Sequence, residues 1–156
     1  IITFKNEKLV AQINDTNKKE IVLNHEQKKA VEKITSEMFE ENKKPYMIHG
    51  VTGSGKTEVY MEIIDYALKQ GLDSIFLVPE ISLTPQTISR LKNRFGDIVG
   101  VFHSKLSEGE KHDVFKAIKQ GKIRILIGAR SALFAPFNSL GVIIKYTSFI
   151  LNLVVL

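Results

Sequence analysis

The 156-residue sequence contains no cysteine, which excludes a disulfide framework and any thiolate metal site. Its four histidines are scattered without metal-ligand spacing, so no zinc site is expected. No acidic residue follows Asp113. No stretch is long and apolar enough for a confident membrane span. The most apolar segment, Val142 to Leu156, is short, carries Lys145, and is cut off upstream by Pro136, Asn138 and Gly141. Neither a tail anchor nor any other membrane partner is therefore expected. The sequence opens at Ile1 and shows no signal-peptide pattern, so it reads as part of a longer cytoplasmic protein. No internal repeat or low-complexity tract is present.

What remains is the composition of an ordinary globular domain, 44% hydrophobic and 25% charged. A net charge of +5 is compatible with a polyanionic partner such as nucleic acid, although many basic surfaces are only solvated faces.

One stretch organises the rest. Gly50-Val51-Thr52-Gly53-Ser54-Gly55-Lys56-Thr57 reads Gly-x-x-x-x-Gly-Lys-Thr, the phosphate-cradling P-loop pattern. An apolar run at Tyr46–His49 precedes it. A helical repeat of Val59, Tyr60, Ile63, Ile64, Ala67 and Leu68 follows, and Gly71 supplies a stop. Glycines let successive N–H groups turn inward with no side chain holding an anion away. The helix start adds its free N–H groups and dipole. Lys56 is placed to reach the β and γ phosphates, and Thr57 to offer its hydroxyl to magnesium. The bland alternative is a plain glycine turn, and the strand–loop–helix context argues against it.

Elsewhere the pattern alternates. Asn24 and Gln27 make a capping box opening a helix with Ala30, Val31, Ile34 and Met38 on one face. Gln27 could instead read adenine, since an amide donates and accepts at once; spacing favours the cap. Ser74–Val78 reads as a strand. Thr84 caps a helix with Pro85 at its first position, carrying Ile88, Leu91 and Phe95 and ending at Gly96. Ile98–Phe102 is a strand, Ser107 and Glu110 open a helix that stops at Gly121, Ile123–Ile127 is a strand, and so is Val142–Ile144. Continuous apolar strands alternating with helices predict an α/β fold: a parallel sheet with helices on both faces. Ligands in such sheets sit at strand carboxyl ends, where Pro79–Gln86, His103–Leu106 and Gly128–Pro136 fall beside the P-loop.

The stretches LNHEQ (23–27), HGVTGSGKTEVY (49–60), LVPEISLTPQ (77–86), FHSKLSEGE (102–110) and IGARSALFAPFNSLGVII (127–144) resemble the first helicase lobe of the bacterial primosomal protein N′ family, superfamily 2 DNA helicases that restart replication. The resemblance covers about residues 23–144. It implies a RecA-like P-loop NTPase lobe of an ATP-driven 3′-to-5′ DNA helicase, with ATP and magnesium as cofactors and DNA and primosome proteins as partners. It makes Gln27 the adenine reader, against the spacing. It gives Gly50, Thr52, Gly53, Ser54, Gly55, Lys56 and Thr57 to the triphosphate and its magnesium. It makes Thr84, Gln86, Arg130 and Ser131 DNA contacts, although Thr84 is equally a helix cap and Ser131 a turn cap. Residues 1–22 read as a linker or the end of a preceding domain, and 145–156 as an atypical apolar tail. No general-base role is expected for His103.

The family follows its Ile-Ile strand with Val-Asp-Glu-Glu-His. Here that place holds Lys145-Tyr146-Thr147-Ser148-Phe149. The Asp would position magnesium and the first Glu the attacking water. The break is abrupt, as a shifted reading frame would produce. Without those carboxylates, and without a second lobe in the sequence, hydrolysis and unwinding by this polypeptide alone are not expected. Competing readings are a small P-loop kinase or GTPase, which would need an acidic magnesium ligand and a base-reading motif, and a non-catalytic nucleic-acid-binding module. The tail residues 149–156 need burial as an extra strand, against ground a second lobe would cover, or between chains; self-association is the favoured expectation.

Overall fold

The computed structural model describes residues 2–3, 22–51, 53–147 and 150–156. Seven strands form one sheet in the order β1-β2-β7-β6-β3-β5-β4. They are β1 (Ile2–Thr3), β2 (Tyr46–His49), β3 (Asp73–Leu77), β4 (Val99–Phe102), β5 (Ile125–Gly128), β6 (Leu140–Tyr146) and β7 (Ile150–Val155). The helices are α1 (His25–Ser36), α2 (Lys56–Lys69), α3 (Pro85–Phe95) and α4 (Glu108–Lys119), with a 3-10 turn over Arg130–Phe134.

Local chemistry sets the helix ends. The Asn24–Gln27 and Ser107–Glu110 capping boxes are both closed, backbone to side chain in each direction. Thr84 accepts from the Thr87 N–H and Pro85 takes the first helical position. Together these satisfy amide groups that a helix start leaves without partners.

The helices cover the sheet unevenly. On one face Ala30, Ile34, Val59, Ile63, Ile64 and Leu91 pack against Ile48, Phe76, Ile127, Ile144 and Leu153 in a single core. On the other, Ile118 and Ala132 meet Ile75, Leu126 and Phe102 in a smaller one. That second layer stops short of β2 and β7, where Met47 and Val154 are 38% and 39% exposed.

The expectation of a parallel sheet needs correction. Strands β1 to β6 run parallel, but β7 is antiparallel to both of its neighbours, β2 and β6. The cause is chain length: only residues 147–149 join β6 to β7, and a parallel return needs a crossover of about a dozen residues or more. The tail is thus an extra strand inside the sheet, with both edges already paired. The open edge from which self-association through 149–156 was expected is not there. Residues 1, 4–21, 148 and 149, which include most of the expected linker, lie outside the described residues.

Strand β7 is also what ties β2 to β6, since β2 pairs with β1 and β7 alone among the described strands. Leu153 is fully buried at that junction. Leu153→Asp is expected to cost more than ~4 kcal/mol, whereas Val154→Asp, on the open face of the same strand, should cost about 1 kcal/mol or less. Urea unfolding of both variants checks this. Equal, small losses would mean that β7 is not seated in the sheet.

Candidate nucleotide and nucleic-acid sites

The P-loop leaves β2 at Gly50 and enters α2 at Lys56. Two glycines make the turn possible, Gly53 at φ +83° and Gly55 at φ +81°, a region that residues with a Cβ enter at a cost. Lys56 is 3% exposed. Its ammonium donates to the carbonyl of Gly50 at 2.6 Å, to that of Val51 at 2.8 Å and to the Ser54 hydroxyl at 3.4 Å. No carboxylate is among these partners, and burial lowers the lysine's pKa. A buried cation held only by neutral oxygens is suited to receiving an anion.

Gln27 is the second buried polar residue here, at 2% exposure. Its Oε1 accepts from the Asn24 N–H at 2.8 Å, which closes the capping box. Its Nε2 donates to the Gly55 carbonyl at 3.1 Å. The cap is therefore realised, and the same amide braces the P-loop from behind. A Cβ at Gly55 would lie 1.8 Å from Gln27 Nε2, so the amide occupies the space a side chain would need.

Thr57 lies in the first turn of α2, half-buried. Its hydroxyl bonds to Tyr60, whose phenol burial raises to about 12 against the effect of that bond. The Tyr60 ring lies 4.5 Å from Phe76 and 5.9 Å from Tyr146, and Tyr146 is 6.0 Å from Phe76. At the end of β6, where the resemblance expects an Asp, the structure therefore has an aromatic ring packed on two others. Among the described residues no group of three or more His, Cys, Asp and Glu side chains could hold a metal ion. Gly50, Gly53, Ser54, Gly55, Lys56, Thr57 and Gln27 are brought together; Thr52 lies outside the described residues.

The other expected residues assemble elsewhere. Leu77, Val78, Pro79 and Glu80 line a cavity of about 350 Å³ with Ala129, Arg130, Leu133 and Lys145, at the carboxyl ends of β3, β5 and β6. The Ser104 hydroxyl donates to the Glu80 carboxylate, which ties two of the expected loops together. That bond, foremost, holds the Glu80 pKa low. Thr84, Gln86, Arg130 and Ser131 are all exposed. Of these, Arg130 lines the cavity and Thr84 is engaged as the α3 cap, so only Gln86 and Ser131 stand apart from such a role. Ile81 (92% exposed) and Phe134 (81%) project from the same two loops.

Sequence reasoning missed the Gln27–Gly55 bond, the Tyr60–Tyr146 contact and Lys145 as a cavity residue. The first two bridge distant segments and leave no local signal. Tyr60 was findable, because it stands one helical turn after Thr57.

The family described as the type III restriction enzyme, res subunit (ResIII), matches over residues 20–151. The chain is 51% identical over 122 residues to the replication restart protein PriA of Bacillus subtilis, a match covering 78% of this chain and 15% of that protein. It is 49% identical over 122 residues to the PriA of Chlamydia pneumoniae (78% and 16%). Against the PriA of Synechocystis it is 52% identical over 98 residues (63% and 12%). The chain spans about 15% of the length of these curated relatives.

The two P-loop glycines should respond differently to substitution. Gly53→Ala has open space and faces only its left-handed backbone, a cost of ~1–2 kcal/mol. Gly55→Ala adds the clash with Gln27, for a total of ~3–5 kcal/mol. In a thermal-denaturation double-mutant cycle, Gln27→Ala should relieve part of the Gly55→Ala loss and none of the Gly53→Ala loss. Equal losses at the two glycines would contradict the bracing contact.

Proposed function

We propose a function from one premise: the chain belongs to the family of the type III restriction enzyme res subunit. Within that helicase family it is the ATP-binding lobe of a replication-restart DNA helicase, the reading supported by its similarity to PriA proteins. The observation that carries it is the cradle itself. Lys56 sits buried at the start of α2 among neutral oxygens, with positive-φ glycines on either side of Ser54.

In this reading the backbone of Gly50 to Gly55, Thr52 included, and the Lys56 ammonium receive the triphosphate of ATP. The Thr57 hydroxyl would help to hold the accompanying magnesium ion, which would neutralise phosphate charge. Thr84, Gln86, Arg130 and Ser131 meet the DNA backbone. Hydroxyl, amide and guanidinium groups suit phosphate contacts that position a strand without reading its sequence. Partners are single-stranded or forked DNA and primosome proteins, and the setting is cytoplasmic. No helix among the described residues is long and apolar enough to cross a membrane.

Chemistry is a separate matter. Tyr146 and Thr147 stand where the family's magnesium-positioning Asp and water-orienting Glu belong, and a tyrosine packed on Tyr60 and Phe76 supplies neither role. The chain binds nucleotide without hydrolysing it at a useful rate, and does not unwind DNA by itself.

Isothermal titration of the chain with magnesium ATP should give a binding isotherm that Lys56→Ala weakens at least about tenfold. ATP turnover should stay at background with and without single-stranded DNA. Absence of binding at near-millimolar ATP would defeat the cradle. DNA-stimulated turnover abolished by Lys56→Ala would defeat the inactivity.

A further inference from the structure

The cavity at the carboxyl ends of β3, β5 and β6 carries Lys145, and the exposed ring of Phe134 follows its lining residue Leu133. Neither is among the expected DNA contacts. On the reading that this edge meets DNA, we propose that the two make it a single-strand site: Lys145 takes a backbone phosphate beside Arg130, and Phe134 stacks a base.

Lys145 is placed by the strand that carries it. Successive side chains of a strand point to opposite faces. Ile144 and Tyr146 belong to the face covered by α1 and α2, where Ile144 is fully buried and the Tyr146 ring meets Tyr60 and Phe76. Lys145 therefore falls on the other face, with Ile143 and Leu77, which pack in the smaller core beside Ala132 of the 3-10 turn. Its backbone is held on both sides, opposite Leu77 of β3 and Asn152 of β7, while its side chain is exposed. The resemblance puts a valine at this place, so the cation belongs to this chain.

The charges favour an anion. Lys145 and Arg130 line the cavity against one carboxylate, Glu80. That carboxylate accepts from the Ser104 hydroxyl, and Lys105, one residue on, adds a further cation within electrostatic reach of it. Cations in such a place grip a phosphodiester backbone whatever its bases.

The apolar residues decide between a single strand and a duplex. Phe134 is 81% exposed, and Ile81, which follows Glu80 on the other loop, is 92% exposed. An aromatic ring left in water beside cations is the combination that single strands use: bases stack on the ring while the cations follow the backbone. In a duplex the base faces are already covered by their neighbours, and Phe134 would gain no stacking there.

The test is fluorescence anisotropy of a labelled oligothymidylate of about 15 nucleotides, titrated with the full chain over a series of salt concentrations. Lys145→Gln should flatten the plot of log Kd against log salt by about 0.7, the change expected for one phosphate contact on a single strand, and Lys145→Arg should restore it. Phe134→Ala should weaken binding at least about fivefold and leave the slope unchanged. The chain has no tryptophan, so Phe134→Trp supplies a lone reporter. Its emission should be quenched by the single strand and not by a duplex of equal length. Circular dichroism checks the fold of each variant, and Arg130→Gln is the control for the underlying reading. If Arg130→Gln flattens the slope and Lys145→Gln does not, or if bound single strand leaves the Phe134→Trp emission unmoved, the inference falls and the DNA-facing edge stands. If neither lysine nor arginine variant flattens it, or wild type binds no single strand at low salt, the reading and the inference fall together.

Discussion

The structure depends on a strand running the wrong way. The P-loop strand β2 makes no ladder contact with the β6-β3-β5-β4 block; β7 stands between them. Four residue pairs join β2 to β7 and five join β7 to β6. Cross-strand pairs are the unit from which a sheet gains its stability, so the cradle's orientation relative to the rest of the sheet is set by residues 150–155. Packing of α1 and α2 over Ile48 and Leu153 adds apolar burial to the same junction. A tail that looks anomalous in sequence is thus the seam of the fold.

That arrangement divides the carboxyl-end surface into two parts. One is the cradle, built from Gly50 to Thr57 and braced by Gln27. The other is the cavity bounded by the loops after β3 and β5 and by Lys145 at the end of β6. In open α/β sheets such loops carry the ligands because strands end there and backbone groups become free. Here Glu80 and Ser104 tie their loops together independently of any ligand, and Arg130 stands beside them. Basic groups at this edge fit the positive balance of the whole chain, whose acidic residues end at Asp113.

Much of this was legible in the residues. Asn24, Gln27, Thr84, Pro85, Ser107 and Glu110 act within one helical turn, so their pattern marks the helix starts directly. The apolar runs at 46–49, 74–78 and 142–144 mark strands for the same reason. The direction of β7 was not legible from hydrophobicity, because a continuous apolar run suits a parallel or an antiparallel central strand equally. Only the three-residue connection decides it. The pairing of Ile2 and Thr3 with Ile48 and His49 was equally hidden, as two residues carry no period. For Gln27 the sequence offered two roles, a cap and a base reader; the structure adds a third partner 28 residues away, which no local spacing encodes.

Lys56 carries a consequence for populations. With its ammonium satisfied by Gly50 and Val51, the loop rests in a state where the lysine points at its own backbone. An arriving phosphate competes with those carbonyls rather than with water alone. Two charge-assisted bonds at about 1.5–3 kcal/mol each set the scale of the energy that separates this resting loop from one presenting the lysine outward. A loop presenting the lysine outward would be the higher-energy form by that amount. Apparent affinity is the intrinsic affinity multiplied by the fraction of molecules in that form. Anything that stabilised an outward-facing Lys56 would raise the loop's affinity for an anion without touching the anion.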